Sequence, residues 1–179
     1  AKAVTPKTRA IIAVETFGNP EYMDQYAQIA ARMEIPVIED CCEALGCSYR
    51  GKPAGSFGRI GVFGFYPNKQ ITTGEGGMIV TNDKRLADLC RSLRSQGRAM
   101  GVSATMGTGS WLHHERLGYN FRLSEINAAL GVVQMKRLGE IVLKRQRLAE
   151  MYMRRLMRTG GDIILPTINA ETVMSWFVF

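Results

Sequence analysis

Several features are missing from this 179-residue chain, and each absence removes a class of function. No apolar run approaches the length of a membrane span. The opening segment, AKAVTPKTRA, lacks the apolar core of a secretory signal peptide, so a cytoplasmic location is expected. Cysteine is sparse. Cys41, Cys42, Cys47 and Cys90 make no disulfide framework in a chain this size, and reduced thiols are the simpler reading. The C-C-x4-C spacing contains no C-x-x-C pair. The two histidines, His113 and His114, precede Glu115, but H-E-x-x-H would need a histidine where Gly118 stands. No metal site is expected. The glycines fit neither G-x-G-x-x-G nor a P-loop, and no internal repeat or low-complexity tract is present.

The composition is otherwise that of one globular domain with a substantial core, 46% hydrophobic and 22% charged. The net charge is +7, and much of it lies between Lys136 and Arg158, interleaved with apolar residues at helical spacing. That pattern predicts a solvated helix face rather than a nucleic-acid patch. A positive field of this kind can still attract an anionic small substrate.

Along the first half, strand and helix signals alternate. RAIIAVE (9–15) predicts a buried strand. The turn FGNP (17–20) follows, and then a helix over 21–34 with Tyr22, Tyr26, Ile29, Ala30 and Met33 at helical spacing. IPVIED (35–40), IGVFGF (60–65) and GGMIVT (76–81) predict three more strands, with 41–58 as loop containing a short helical turn. Asn82 or Asp83 caps a helix running towards Ser95. The second half opens with a Gly/Ser/Thr/Met-rich loop over 97–109. Ser124 then caps a long amphipathic region that starts at Ile126, breaks near Gly139 and stops at Gly160-Gly161. The last residues, SWFVF (175–179), resemble a strand cut off in mid-course, so a longer parent protein is expected.

Two residues stand out chemically. Asp40 ends one apolar strand, and Lys69 follows another after only Tyr66-Pro67-Asn68. Ligands in open α/β sheets sit at strand carboxyl ends. An amine and a carboxylate placed there suit pyridoxal phosphate (PLP), where lysine holds the cofactor as a Schiff base and the acid keeps its ring nitrogen protonated. Downstream of Lys69, TTGEGG (72–77) permits tight turns and close backbone approach.

The segments IPVIEDCCEALG, VFGFYPNKQITTGEGGMIV and RLGYNFRLSEINAALG, in this order, strongly resemble the DegT/DnrJ/EryC1/StrS family of PLP-dependent sugar aminotransferases. The resemblance implies an α/β fold: a three-layer α/β/α large domain of fold type I with a mostly parallel sheet, incomplete here, followed by a long helical region. Residues 1–121 would be part of the PLP-binding domain, 122–160 the helical link, and 161–179 the start of a small C-terminal domain. It implies amino transfer, commonly from glutamate, to a nucleotide-linked keto sugar. On the same basis Lys69 is the Schiff-base lysine and Asp40 the pyridinium partner. Cys42 packs against the ring, Glu43 lies near its hydroxyl, and Asn120 reaches the phosphate of a neighbouring subunit's cofactor in a homodimer. Gly64 stands where many members carry a phosphate-binding serine. Members that dehydrate instead of transaminating place histidine at the lysine position, so Lys69 points to transamination. The competing readings are a truncated inactive fragment with a structural role and another fold type I enzyme acting on amino acids.

Overall fold

The computed structural model describes residues 2–99, 113–159 and 163–179. Strands β1 (Ile11–Val14), β2 (Val37–Asp40), β5 (Ile60–Gly64) and β6 (Gly77–Val80) form a sheet in the order β1-β2-β5-β6. The first two pairings are parallel and the last is antiparallel, which makes the sheet mixed. β3 (Ser48–Tyr49) and β4 (Lys52–Pro53) form a small hairpin inside the expected loop, and β7 (Thr172–Val173) adds to it. Helices α1 (Met23–Arg32), α2 (Lys84–Arg94), α3 (Glu125–Lys136) and α4 (Leu138–Arg158) complete the elements.

The pleat of the sheet sorts its residues. Paired positions share a face, and the buried ones fall together: Ala13 opposite Glu39, with Val37, Gly61 and Phe63. α1 covers one end of this face through Met23 and Ala30 against Ala13 and Val37. Leu138 and Ile141 of α4 cover the other end, around Phe63, Phe65, Cys41 and Ile71. The opposite face is open. Ile12 is 68% and Val14 59% exposed. The expectation of a buried strand at 9–15 is therefore corrected: among the described residues, helix α1 covers the Ala13 side of β1, while Ile12 and Val14 on the other side stay exposed.

Other sequence expectations shift in instructive ways. α1 buries Met23 and Ala30, two turns apart, while Tyr22, Tyr26 and Met33 lie exposed along its flank. Asp83, not Asn82, caps α2, accepting the N–H groups of Arg85 and Leu86 at 2.9 and 3.2 Å. Ser124 caps α3 through the Asn127 N–H. The helical region breaks at Arg137, two residues before Gly139. The cationic face of α4 is solvated as expected, with Lys144 and Arg154 pairing to Glu140 and Glu150 one turn back. Val142 and Ala149 are buried on its inward side beside Leu138 and Ile141, Leu148 lies exposed, and Tyr152 stacks on Phe179. The loop expected at 97–109 lies outside the described residues beyond Ala99, and so does the Gly160-Gly161 stop.

The end of the chain is not a strand. Trp176 has φ +52°, which no extended strand tolerates, and pairing stops at Val173. No helix among the described residues is long and apolar enough to cross a membrane.

Candidate active site

Alternation along β2 decides the roles of two adjacent acids. Glu39 points into the covered face, is fully buried, and accepts the backbone N–H groups of Gly55 (2.8 Å) and Gly58. Asp40 points to the open face, half-buried, where its Oδ1 accepts the Cys42 N–H at 3.1 Å. Val62 and Gly64 of β5 lie on the same open face.

Lys69 reaches this face from a turn. Its N–H donates to the Tyr66 carbonyl at 3.0 Å, closing Tyr66-Pro67-Asn68-Lys69 with proline at the second position, where its fixed φ suits the bend. The following loop is anchored by its own hydroxyls. Thr72 donates to the Phe65 carbonyl at 3.0 Å and accepts the Gly74 N–H, and Thr73 donates to the Glu75 carbonyl at 2.7 Å. Gly76 is required here: at φ +153°, a Cβ would stand 2.5 Å from Thr73 Oγ1. The Lys69 side chain returns over Gly64. A Cβ on Gly64 would lie 3.3 Å from Cys42 Sγ and 4.0 Å from Lys69 Cε.

Around the amine stand Glu43 and Phe177. Glu43 Oε1 is 3.7 Å from Lys69 Nζ, and its Oε2 accepts the Phe17 N–H at 2.7 Å. The Phe177 ring centroid lies 4.3 Å from Nζ. Burial, reinforced by the hydrogen bond with Asp40, pushes the Cys42 thiol up to about 11 and keeps it neutral at physiological pH. The structure thus brings together Lys69, Asp40, Cys42 and Glu43 from the sequence-based set. Asn120 is exposed, bridges to Ser95, and lines a groove with Val62, Met78, Ile79 and Arg94. His114 is structural: its Nδ1 lies 2.7 Å from the Gln96 carbonyl oxygen.

Sequence reasoning missed three neighbours. Phe177 and Ser175 lay in a segment taken for a strand, and Gln70 carried no signal beyond adjacency to Lys69. It also missed a buried cluster beneath the sheet. Glu15 is 1% exposed, neither of its carboxyl oxygens is hydrogen-bonded among the described residues, and a carboxyl oxygen of Glu15, one of Glu39 and the Cys41 thiol lie within 4.8 Å of one another. Burial first, then the neighbouring Glu39, pushes the Glu15 carboxyl up to about 9, and burial raises the Cys41 thiol. Protonation of Glu15 relieves this crowding of acids, because a neutral carboxyl can donate to Glu39.

Comparison with known proteins fits this geometry. Residues 1–179 match the DegT/DnrJ/EryC1/StrS aminotransferase family. A GDP-perosamine synthase of Escherichia coli O157:H7 is 42% identical over 149 residues, covering 83% of this chain and 39% of that protein. The S. venezuelae DesV structure, in complex with a ketimine intermediate, superposes with a TM-score of 0.86 at 34% identity, covering 99% of this chain and 45% of that one. The E. coli GDP-4-keto-6-deoxy-D-mannose-3-dehydratase with bound hydrated PLP gives 0.83 at 29% identity, over 98% and 47%. The chain therefore spans less than half the length of the relatives it matches.

Proposed function

The chain belongs to the DegT/DnrJ/EryC1/StrS aminotransferase family, and on that premise we propose that the parent protein is a PLP-dependent aminotransferase of nucleotide-linked keto sugars, with glutamate as donor. The observation that carries the reading is that Lys69 Cε and Cys42 Sγ flank Gly64, while Asp40, which accepts the Cys42 N–H, ends the neighbouring strand on the same face of the sheet. The residues fit the cofactor. Gly64 leaves a floor that a Cβ would partly fill, a primary amine stands at one side, and a carboxylate stands at the strand end. When bound, PLP supplies an electron sink for the substrate carbon.

The chain's own residues have separable tasks. Asp40 would hold the ring nitrogen protonated, and Lys69 Nζ would anchor the cofactor and then carry the proton to and from the substrate carbon. Cys42, neutral and small, would lie against the ring. Glu43, whose Oε2 accepts the Phe17 N–H, would lie on the ring's hydroxyl side. Lysine rather than histidine at position 69 favours transamination over dehydration. Residues 1–121 fit a PLP-binding domain, 122–160 its helical link and 161–179 the start of a small domain. Asn120, exposed in the groove along β6, suits a role toward the cofactor of a second subunit in a homodimer.

The complete protein with added PLP should develop a visible absorbance band that borohydride abolishes and that Lys69→Ala never forms. Glutamate should bleach the band with release of a keto acid. A colourless wild-type protein would overturn the proposal.

A further inference from the structure

Segment 174–177 has no part in holding the cofactor, yet it is fastened to the residues around Lys69 by several hydrogen bonds. Ser175 is fully buried. Its Oγ accepts an N–H from Gln70 Nε2 at 2.7 Å, and Gln70 donates its other N–H to the Glu43 carbonyl. Gln70 is the chain neighbour of Lys69, and Glu43 is the carboxylate beside the Lys69 amine. On the other side, Cys47 Sγ accepts the Ser175 N–H at 3.2 Å, and it lies 3.0 Å from Ser175 Oγ and 2.9 Å from the Gly18 carbonyl oxygen. Gly18 completes the enclosure: a Cβ there would sit 2.7 Å from the Glu43 carbonyl and 3.2 Å from Ser175 Oγ.

The next residue turns the chain. Trp176 is buried at φ +52°, a conformation that a large side chain keeps only when its surroundings compel it. Arg145 supplies that compulsion from α4, donating to the carbonyls of Trp176 (2.8 Å) and Phe177 (3.0 Å), while Gln146 donates to Met174 at 3.2 Å. The turn sends Ser175 inward and lays the Phe177 ring over Lys69 Nζ.

We propose that Ser175 and Phe177 are positioning residues for Lys69: the buried contacts of Ser175 with Gln70 and Cys47 hold the Phe177 ring over the amine that the Glu43 carboxylate also faces. Lys69 is flexible by nature, with a long stem that would sample many rotamers in solvent. A ring face attracts an ammonium electrostatically and excludes water from that side. Between ring and carboxylate, the amine keeps one orientation whenever it is not bonded to another group. The proposal rests on the reading of Lys69 as the reactive amine, but its test does not depend on PLP.

In the cofactor-free complete protein, trace acetylation with acetic anhydride followed by peptide mass spectrometry reads the reactivity of Lys69 against surface lysines. Phe177→Leu keeps the apolar bulk and loses the ring, so Lys69 should label about threefold to tenfold faster than in the wild type. Ser175→Ala should move in the same direction, and Phe177→Tyr, which restores the ring, should return to within about twofold of wild type. Thermal melts identify any variant that fails to fold. If Ser175→Ala is lost in that way, the Leu and Tyr pair at position 177 decides alone. Equal labelling in wild type and Phe177→Leu overturns the proposal, as does a Tyr variant that behaves like Leu. The PLP absorbance of the same proteins is scored separately, so a failure of the cofactor reading is distinguishable from a failure of this one.

Discussion

Glu39 and Asp40 are adjacent in sequence and point to opposite faces of β2, one into the core and one to the open side that carries Lys69. The two carboxylates are therefore separable by mutation. Glu39→Gln turns an amide donor towards the N–H groups of Gly55 or Gly58 and should cost about 2–3 kcal/mol of unfolding free energy. Asp40→Ala loses one half-buried hydrogen bond and should cost only about 1 kcal/mol, leave Lys69 able to form the visible PLP band, and sharply slow the bleaching of that band by glutamate. Urea titration and absorbance on the same samples separate the outcomes. Bleaching by glutamate at the wild-type rate in Asp40→Ala would remove Asp40 from the site.

The buried Glu15 carboxyl, raised by burial and by Glu39, gives stability a pH dependence of known sign. Between the ordinary glutamate value of 4.5 and about 9, the folded state keeps a proton that the unfolded state releases. Its contribution is thus fully present below the window and lost as pH rises through it, at up to about 1.4 kcal/mol per pH unit. Glu39 and Cys41 face it; Asp83, Asp88 and Glu140, held low by hydrogen bonds from Arg59, Lys84 and Lys144, titrate below the window. Glu15→Gln should flatten the stability profile between pH 5 and 8 in urea melts, where these two bounds lie inside the window just given. An unchanged slope would show that Glu15 is ionised in the fold.

Cys42 should alkylate slowly in the native protein. With its thiol at about 11, the thiolate fraction at neutral pH is on the order of 10⁻⁴. Iodoacetamide labelling followed by mass spectrometry should find Cys42 ~100-fold slower than in the denatured chain. A native rate equal to the denatured one would contradict the environment described around Asp40.

Two glycines should respond very differently to alanine. At Gly61 a Cβ would stand 2.6 Å from Gly55 Cα and 2.7 Å from its carbonyl oxygen, all backbone that has nowhere to move. Gly61→Ala should destabilise by more than about 3 kcal/mol. Gly51 has φ +73° but nothing within 4 Å, so Gly51→Ala should cost only about 1–2 kcal/mol of left-handed strain. Equal losses at the two positions would refute the close backbone contact beneath β5.

Sequence by itself determined the elements and their chemistry to a useful degree. The apolar runs ending in Asp40 and preceding Lys69, the cap at Ser124 and the charged face of α4 are local facts, set by side-chain type and spacing. Their order also carried the family. Tertiary structure decided what local pattern leaves open. Whether Glu39 or Asp40 faces the lysine depends on strand register, because a slip of one residue would exchange them. The covered side of β1 depends on where α1 comes to lie. The roles of Ser175 and Phe177 depend on contacts with Gln70 and Lys69, more than a hundred positions away, which no periodicity records. A side chain's identity is written locally, but its surroundings exist only once distant segments have met.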